Sequence, residues 1–138
     1  MSKSKIAVEA TINESIETVW DRYTNPEHIV NWNFANNDWC CPRAENDLRA
    51  GGKMLSRMEA KDGSFGFDFE AVYDEVMPNE KLVYTMTDGR QATVNFAELD
   101  SHTQVTVVFD AEDENSHELQ QQGWQAILDN FKKYSESN

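Results

Sequence analysis

The last stretch of the chain, residues 117–138, HELQQQGWQAILDNFKKYSESN, decides the fold. Its apolar side chains recur at intervals of three and four residues, which places them on one face of an α-helix. Asn115, followed three residues later by Glu118, matches a capping box and predicts that the helix begins near Asn115. The face that has to be buried against another element consists of Leu119, Trp124, Ile127, Leu128, Phe131 and Tyr134.

One residue, Gly123, interrupts this helical pattern directly before Trp124. A glycine inside a helix costs roughly 1 kcal/mol relative to alanine. Burial of the apolar residues from Trp124 to Phe131 contributes at most about 1.5–3 kcal/mol each, so the helix is expected to form despite the glycine. Gly123 then either lets another element approach the helix closely or leaves room for a ligand, and both interpretations are open.

The first part of the chain predicts one strand and two short helices. In residues 5–12 apolar and polar side chains alternate, as they do in a strand that is buried on one face. Asn13 is the expected start of the first helix, and Asn25 with Pro26 predicts a second helix that ends near Trp32. The inward residues are Ile6, Val8, Ala10 and Ile12 in the strand and Ile16, Val19, Trp20 and Tyr23 in the first helix.

Turn signals divide the middle of the chain into further strands. Residues 33–46 are expected to form an aromatic-rich loop, and a short strand is expected between this loop and Gly51-Gly52. Asp62-Gly63 and Asp88-Gly89 predict tight hairpin turns in the meander that follows. The complete order is one strand, two helices, six strands and one long helix, which indicates an α+β fold.

Two neighbouring strands of this meander present a face of methionine and phenylalanine. Val72 and Val76 have the opposite parity to that face, which indicates a β-bulge. Arg57 belongs to the outer face, unless the parity of its strand shifts and turns it toward a ligand. The inward residues are Met54, Ser56 and Met58 in one strand and Phe65, Phe67, Phe69, Ala71 and Tyr73 in the next.

A curved antiparallel sheet wrapped around one helix tends to leave a space between the two. Methionine side chains fill irregular gaps and tolerate varied contacts, so the inner face permits a cavity. A closely packed core is the alternative interpretation of the same residues.

The composition limits the partners of the protein. The 138 residues are most simply one domain, residues 1–138, and 25 acidic against 12 basic side chains give a formal net charge of −13. This charge argues against nucleic acids and anionic membranes as partners. Because no stretch has the length and apolarity of a membrane helix or a signal peptide, we expect a cytoplasmic protein, and we expect it to be a monomer.

No residue pattern indicates a metal, a cofactor or a catalytic group. His28, His102 and His117 do not have the spacing of metal ligands. Cys40 and Cys41 are adjacent, and because neighbouring cysteines form a disulfide only with strain, free thiols are expected.

Several segments, in their order along nearly the whole chain, resemble one known superfamily. They are Val19-Trp20, TNPEHIVNW (24–32), DLRAGGKM (47–54, with Ala50 where proline is usual), YDEVMPNEKLVYT (73–85), TVNF (93–96), TQVTVVF (103–109) and GW (123–124). The chain resembles the START-like, or SRPBCC, superfamily, and within it the branch named for the activator of heat-shock-protein-90 ATPase. The resemblance implies a helix-grip (START/Bet v 1-like) fold, with two short helices near the opening of a deep apolar cavity.

The candidate ligand-binding residues follow from the predicted inner face and from the aromatic residues near the expected opening. They are Trp32, Phe34, Trp39, Met54, Met58, Phe67, Phe69, Gly123, Trp124 and Ile127. The favoured function is non-enzymatic binding of a small hydrophobic or amphipathic ligand. One alternative is a co-chaperone-like module with a chaperone partner, which the branch name suggests; the other is a polyketide cyclase-like or hydrolase-like enzyme.

Overall fold

The computed structural model describes residues 4–137, so the ends of the predicted domain, residues 1–3 and 138, lie outside the described residues. Within the described residues, seven strands and three helices follow one another in the predicted number and order, although a strand at residues 39–46 replaces the short strand predicted before Gly51-Gly52. They are β1 (Lys5–Ile12), α1 (Ile16–Thr24), α2 (Pro26–Ile29), β2 (Trp39–Asn46), β3 (Lys53–Ala60), β4 (Gly66–Met77), β5 (Lys81–Met86), β6 (Gln91–Leu99), β7 (His102–Asp110) and α3 (His117–Glu136).

The strands form a single antiparallel sheet in the order β1-β7-β6-β5-β4-β3-β2. The sheet curls around α3, so the predicted helix-grip fold is confirmed. Along β1 every second residue is buried, as the alternation predicts, and Ile12 has no exposed surface. Phe131 on α3 has no exposed surface either. The core is therefore completely buried where α3 packs against β1.

The free edge of β1 is covered by α3. Gln125 donates from Nε2 to the carbonyl of Glu9 at 3.0 Å, and Lys132 donates from Nζ to the carbonyl of Thr11 at 2.7 Å. Carbonyls of an edge strand otherwise remain available for pairing with another chain. Polar residues on one side of α3 therefore fix the helix along β1, while its apolar residues face the sheet.

The predicted loop at residues 33–46 is wrong in its second half, because residues 39–46 form β2. This strand lies at the sheet edge and pairs only with β3, with a register shift between Cys40 and Arg43. Pro42, which lacks a backbone N–H, is compatible with such an edge position. The predicted short strand before Gly51-Gly52 is a turn instead, in which Gly51 has a φ of 86° and a Cβ on Gly52 would lie 2.0 Å from the Asp47 carbonyl oxygen.

Two helices begin later than predicted, each at a serine. Ser15 rather than Asn13 caps α1, and Ser116 rather than Asn115 caps α3, with its hydroxyl accepting from the Leu119 N–H. Asn25 and Pro26 begin α2 as predicted, although α2 ends at Ile29 rather than near Trp32. At the N-cap position, a serine side chain accepts a hydrogen bond from the backbone about as well as an asparagine side chain does. The local sequence therefore could not decide between the neighbouring N-cap candidates.

The apolar face of α3 differs from the prediction at its first turn. Leu119 is 55% exposed, whereas Gln120 is buried. The Gln120 side chain accepts from the Glu112 N–H at 2.9 Å and donates to the Asn115 carbonyl at 2.8 Å. A buried amide with these partners fastens the β7–α3 connection to the helix, which leaves Leu119 on the solvent side.

The predicted bulge in β4 is present, as a register shift against β5 between Tyr73 and Glu75. It brings Val76 to the inner side, where this residue packs against the core, while Val72 remains exposed on the outer face. Phe65 precedes β4 and is 60% exposed, so its predicted inward orientation is wrong. Within the described part of the chain, no helix has the length and apolarity needed to cross a membrane.

Candidate functional site

A cavity of about 420 Å³ lies between the inner face of the sheet and α3. This volume is within the range of roughly 300–1,000 Å³ that small-molecule sites occupy. Its wall is mostly apolar and includes residues of all three helices. The lining residues are Tyr23, Ile29, Trp32, Asn33, Met54, Ser56, Met58, Phe67, Phe69, Tyr73, Leu82, Tyr84, Arg90, Val107, Glu112, Trp124, Ile127 and Leu128.

Most of the candidate residues from the sequence line this cavity. The structure places Trp32, Met54, Met58, Phe67, Phe69, Trp124 and Ile127 in its wall. Phe34, Trp39 and Gly123 are outside the wall: Phe34 packs against the core from the loop after α2, and Trp39 stands at the start of β2. The parity predicted for β3 and β4 is what brings the methionine and phenylalanine side chains together here.

The structure contradicts the close-approach interpretation of Gly123. A Cβ atom built on this residue would meet no atom within 4 Å, so no neighbouring element requires a glycine there. By helical spacing, Gly123 lies on the same side of α3 as Asn130 and Tyr134. These two residues contact the α2 region, because Asn130 donates to the Trp32 carbonyl at 2.8 Å and the Tyr134 hydroxyl lies 2.7 Å from His28 Nδ1.

Next to the cavity, aromatic rings from α1, the turn after α2, β6 and α3 form a closely packed group that we call the inner aromatic cluster: Tyr23, Trp32, Phe96 and Phe131. Ring centroids are 4.8 Å apart for Trp32 and Phe131 and 5.1 Å apart for Tyr23 and Phe131. The Trp32 Nε1–H donates to the Arg22 carbonyl at 2.9 Å. The cluster therefore fixes α1 and the turn after α2 against α3 beside the cavity.

Exposed aromatic rings also adjoin the cavity wall. Trp39, Phe65 and Phe67, which we call the rim aromatic cluster, have centroids 6.0–6.2 Å apart. Phe65 is 60% and Phe67 40% exposed, and Phe67 also lines the cavity. The rim cluster is thus continuous with the interior through Phe67.

On the helix side of the cavity, Trp124 stacks on Phe109 of β7. The ring centroids are 3.9 Å apart and the planes are 12° from parallel. This contact fixes the Trp124 indole against the sheet, so that Ile127 and Leu128, one turn further along α3, present their side chains to the cavity.

Three tyrosines in the wall were not among the predicted site residues. Tyr23 comes from α1, Tyr73 from β4 and Tyr84 from β5, and the rings of Tyr73 and Tyr84 meet edge to face at 6.3 Å. The Tyr73 hydroxyl donates to Asn46 Oδ1 at 2.7 Å. The inward parity of Tyr73 was visible in the sequence, but its convergence with Tyr23 and Tyr84 was not.

Burial keeps these phenols protonated. Desolvation is the main cause that raises the pKa of Tyr73 to about 12, against the opposite effect of its hydrogen bond to Asn46. Desolvation raises the pKa of Tyr23 and of Tyr84 as well, and in both cases the neighbouring phenols add to the shift. Neutral hydroxyl groups therefore face the cavity throughout the physiological pH range.

The charged residues of the wall are Arg90, between β5 and β6, and Glu112, which follows β7. Arg90 Nε is 2.7 Å from Asp88 Oδ2, and Glu112 contributes to the same wall. Together, Arg90, Glu112 and Asp88 have a formal net charge of −1, because Arg90 offsets only one of the two carboxylates. Asn33 adds a neutral polar group, with Nδ2 donating to Ser56 Oγ at 3.1 Å.

Other candidate groups from the sequence lie elsewhere. Arg57 is on the outer face, where Nε is 2.9 Å from Glu59 Oε2 and Nη1 3.4 Å from Asp68 Oδ1, so the alternative in which it faces a ligand is wrong. Cys40 and Cys41 are free, and burial raises the pKa of the Cys41 thiol. Across residues 4–137 no group of three or more histidine, cysteine, aspartate or glutamate side chains is arranged to hold a metal ion.

Comparison with known proteins identifies the family of this fold. The family model described as Activator of Hsp90 ATPase homolog 1-like protein matches residues 13–136. Comparison with curated protein sequences finds no relative.

Solved structures similar to this chain include three bacterial proteins. An AHSA1-like protein from Aeromonas hydrophila is 43% identical, with a TM-score of 0.92 over 97% of this chain and 93% of that one. A protein from Cytophaga hutchinsonii is 47% identical, with a TM-score of 0.84 and the same coverage of both chains. A protein from Nitrosomonas europaea shares only the fold, at 18% identity and a TM-score of 0.83 over 96% of this chain and 94% of that one.

Proposed function

This chain belongs to the Activator of Hsp90 ATPase homolog 1-like family, and from that premise we propose that it binds a small apolar or amphipathic molecule without transforming it. The observation that carries the proposal is the cavity of about 420 Å³ between the sheet and α3. Protein interiors are normally close-packed, and an empty apolar cavity reduces stability. A ligand that fills this volume offsets that cost and buries its own apolar surface.

The chemistry of the wall supports binding rather than catalysis. Among the described residues that line the cavity there is no histidine or cysteine, so neither a cysteine nucleophile nor a serine activated by a histidine is assembled there. Ser56 accepts a hydrogen bond from Asn33, and the tyrosines are held protonated by burial. Such groups orient a ligand but do not exchange protons with it near neutral pH.

A fluorescence titration tests the proposal. N-phenyl-1-naphthylamine, a neutral probe that brightens in apolar surroundings, should bind the protein with a saturable signal. Ile127→Trp adds bulk at the cavity wall and should weaken probe binding at least tenfold. Leu119→Trp is the matched control, since Leu119 lies on the same helix but is exposed, and this variant should bind the probe like the parent.

If folded Ile127→Trp binds the probe as tightly as the parent does, the probe does not enter the cavity and the proposal is refuted. Mass spectrometry of the protein purified under native conditions then identifies the ligand class, because a molecule held in the cavity should be depleted from Ile127→Trp and retained by Leu119→Trp.

A second candidate function, a protein partner, is favoured by the exposed rim aromatic cluster. The family description refers to an activator of Hsp90 ATPase, and exposed aromatic rings are enriched in protein interfaces. Calorimetric titration into a purified Hsp90-class chaperone, with Phe65→Ala as the comparison, tests this alternative. Heat of binding that Phe65→Ala reduces would support it, and no heat from the parent at high micromolar concentration would exclude it.

A further inference from the structure

Two hydroxyl groups in the cavity wall have no hydrogen-bond partner among residues 4–137. Within residues 4–137, nothing donates to or accepts from the hydroxyl of Tyr23 or Tyr84. In the described chain, every side-chain oxygen or nitrogen that is fully buried has a hydrogen-bond partner. These two hydroxyls are therefore in contact with the space of the cavity itself, which both tyrosines line.

Two other neutral polar groups of the wall already donate hydrogen bonds within the protein. The Tyr73 hydroxyl donates to Asn46, and the Asn33 amide donates to Ser56. Of the three tyrosines in the wall, Tyr23 and Tyr84 are consequently the ones whose hydroxyl donors remain available. A ligand with an acceptor atom near them satisfies groups that are otherwise paired only with water.

The charge of the wall disfavours an anionic ligand. Arg90 is the cation of the wall, and it is paired with Asp88 at 2.7 Å. Glu112 lines the same cavity and adds a negative charge. The buried phenols also stay neutral, so they offer dipoles but no positive charge to a carboxylate.

We propose that the cavity selects neutral, mostly apolar ligands that carry a hydrogen-bond acceptor such as a ketone carbonyl, which the hydroxyls of Tyr23 and Tyr84 bind. This inference rests on the proposed function and specifies the chemical class of its ligand. Apolar side chains supply the affinity, and the two hydroxyls supply the selection for an acceptor at one position of the ligand.

The test compares two planar molecules of nearly the same shape, 9-fluorenone and fluorene, as competitors for bound N-phenyl-1-naphthylamine. In the parent protein and in Tyr134→Phe, the ratio of the two affinities should be the same. In Tyr23→Phe or Tyr84→Phe the affinity for 9-fluorenone, relative to the affinity for fluorene, should fall about 2- to 10-fold, which is the effect of one hydrogen bond. Tyr134 is the matched control, because its hydroxyl contacts His28 and it does not line the cavity.

A second readout is spectroscopic. The infrared carbonyl band of 9-fluorenone bound to the parent should lie at lower wavenumber than in hexane, and the shift should decrease in the Tyr84→Phe variant. At pH 7, 9-fluorenone-4-carboxylate keeps the ketone but adds a negative charge, and it should bind at least tenfold more weakly than 9-fluorenone.

The outcomes separate the two proposals. If N-phenyl-1-naphthylamine does not bind the parent, the proposed function fails and the ligand class fails with it. If the probe binds in the cavity but the affinity ratio is the same in all variants, or the carbonyl band is unshifted, only the selection by Tyr23 and Tyr84 is overturned. Equal or tighter binding of the carboxylate overturns the preference for neutral ligands.

Discussion

The inner and the rim aromatic clusters are built from the same types of residue but have opposite surroundings. In the inner cluster Phe131 has no exposed surface, whereas in the rim cluster Phe65 is 60% exposed. Rings are in contact in both, with centroids 4.8 Å apart for Trp32 and Phe131 and 6.0 Å apart for Trp39 and Phe65. Contact between rings therefore does not by itself indicate a structural role. Burial decides how much each ring stabilises the fold, and the exposed rings remain available to a ligand or partner.

The largest expected difference between the clusters is in stability. Phe131→Ala should reduce the free energy of unfolding by about 3–5 kcal/mol, because it removes a fully buried ring that touches Tyr23 and Trp32. Phe65→Ala should change it by about 0.5 kcal/mol or less. Urea unfolding followed by tryptophan fluorescence measures both, and similar losses for the two variants would contradict the distinction.

Alkaline pH should act on the interior and leave the rim cluster untouched, since the rim has no ionisable group. Burial raises the pKa of Tyr73 to about 12, above its value in the unfolded chain. The folded state keeps a proton that the unfolded state releases above about pH 10, so this contribution is complete below pH 10 and is lost as the pH rises toward 12. The expected loss from Tyr73 is on the order of 3 kcal/mol.

Urea unfolding at several pH values from 9 upward measures this loss. Tyr73→Phe is the comparison. Near neutral pH this variant should be less stable than the parent, because it lacks the hydrogen bond to Asn46. Above pH 10 its stability should fall less steeply than that of the parent. Parallel pH curves for the parent and Tyr73→Phe would show that this phenol does not carry the effect.

Phe67 connects the two regions, because it belongs to the rim cluster and also lines the cavity. Phe67→Ala should cost about 1 kcal/mol or less in stability, since the ring is 40% exposed, but should weaken binding of N-phenyl-1-naphthylamine several-fold. Val72→Ala, at an equally exposed position on the outer face of the same strand, should leave probe binding unchanged. If both variants bind the probe like the parent, the rim plays no part in binding.

The smallest expected effect is at Gly123, where the surroundings are open. Gly123→Ala should raise the free energy of unfolding by about 0.4–1 kcal/mol, because the added methyl group meets no atom and the unfolded chain loses freedom. Probe binding should be unchanged, because Gly123 does not line the cavity. A thermal melt and a titration measure the two effects, and a lower melting temperature would restore the close-approach interpretation.

Much of the fold could be predicted because its signals are local. The alternation in β1 and the spacing of Trp124, Leu128 and Phe131 identify their elements without knowledge of any partner. The same holds for the Met and Phe residues of β3 and β4, whose parity placed most of the candidate residues in the cavity wall. The edge strand β2 was missed for a physical reason: it pairs on one side only, and its residues alternate poorly.

By itself, the sequence determined which side of each periodic strand and helix is apolar. These apolar sides in turn predicted a sheet that wraps around a terminal helix. Only the tertiary structure decided which apolar and aromatic side chains remain exposed and which polar groups meet inside. Tyr23, Tyr73 and Tyr84 come from α1, β4 and β5, and the curvature of the sheet brings them to one cavity. Periodicity reports the direction of a side chain relative to its own backbone, whereas its neighbours depend on how distant segments pack.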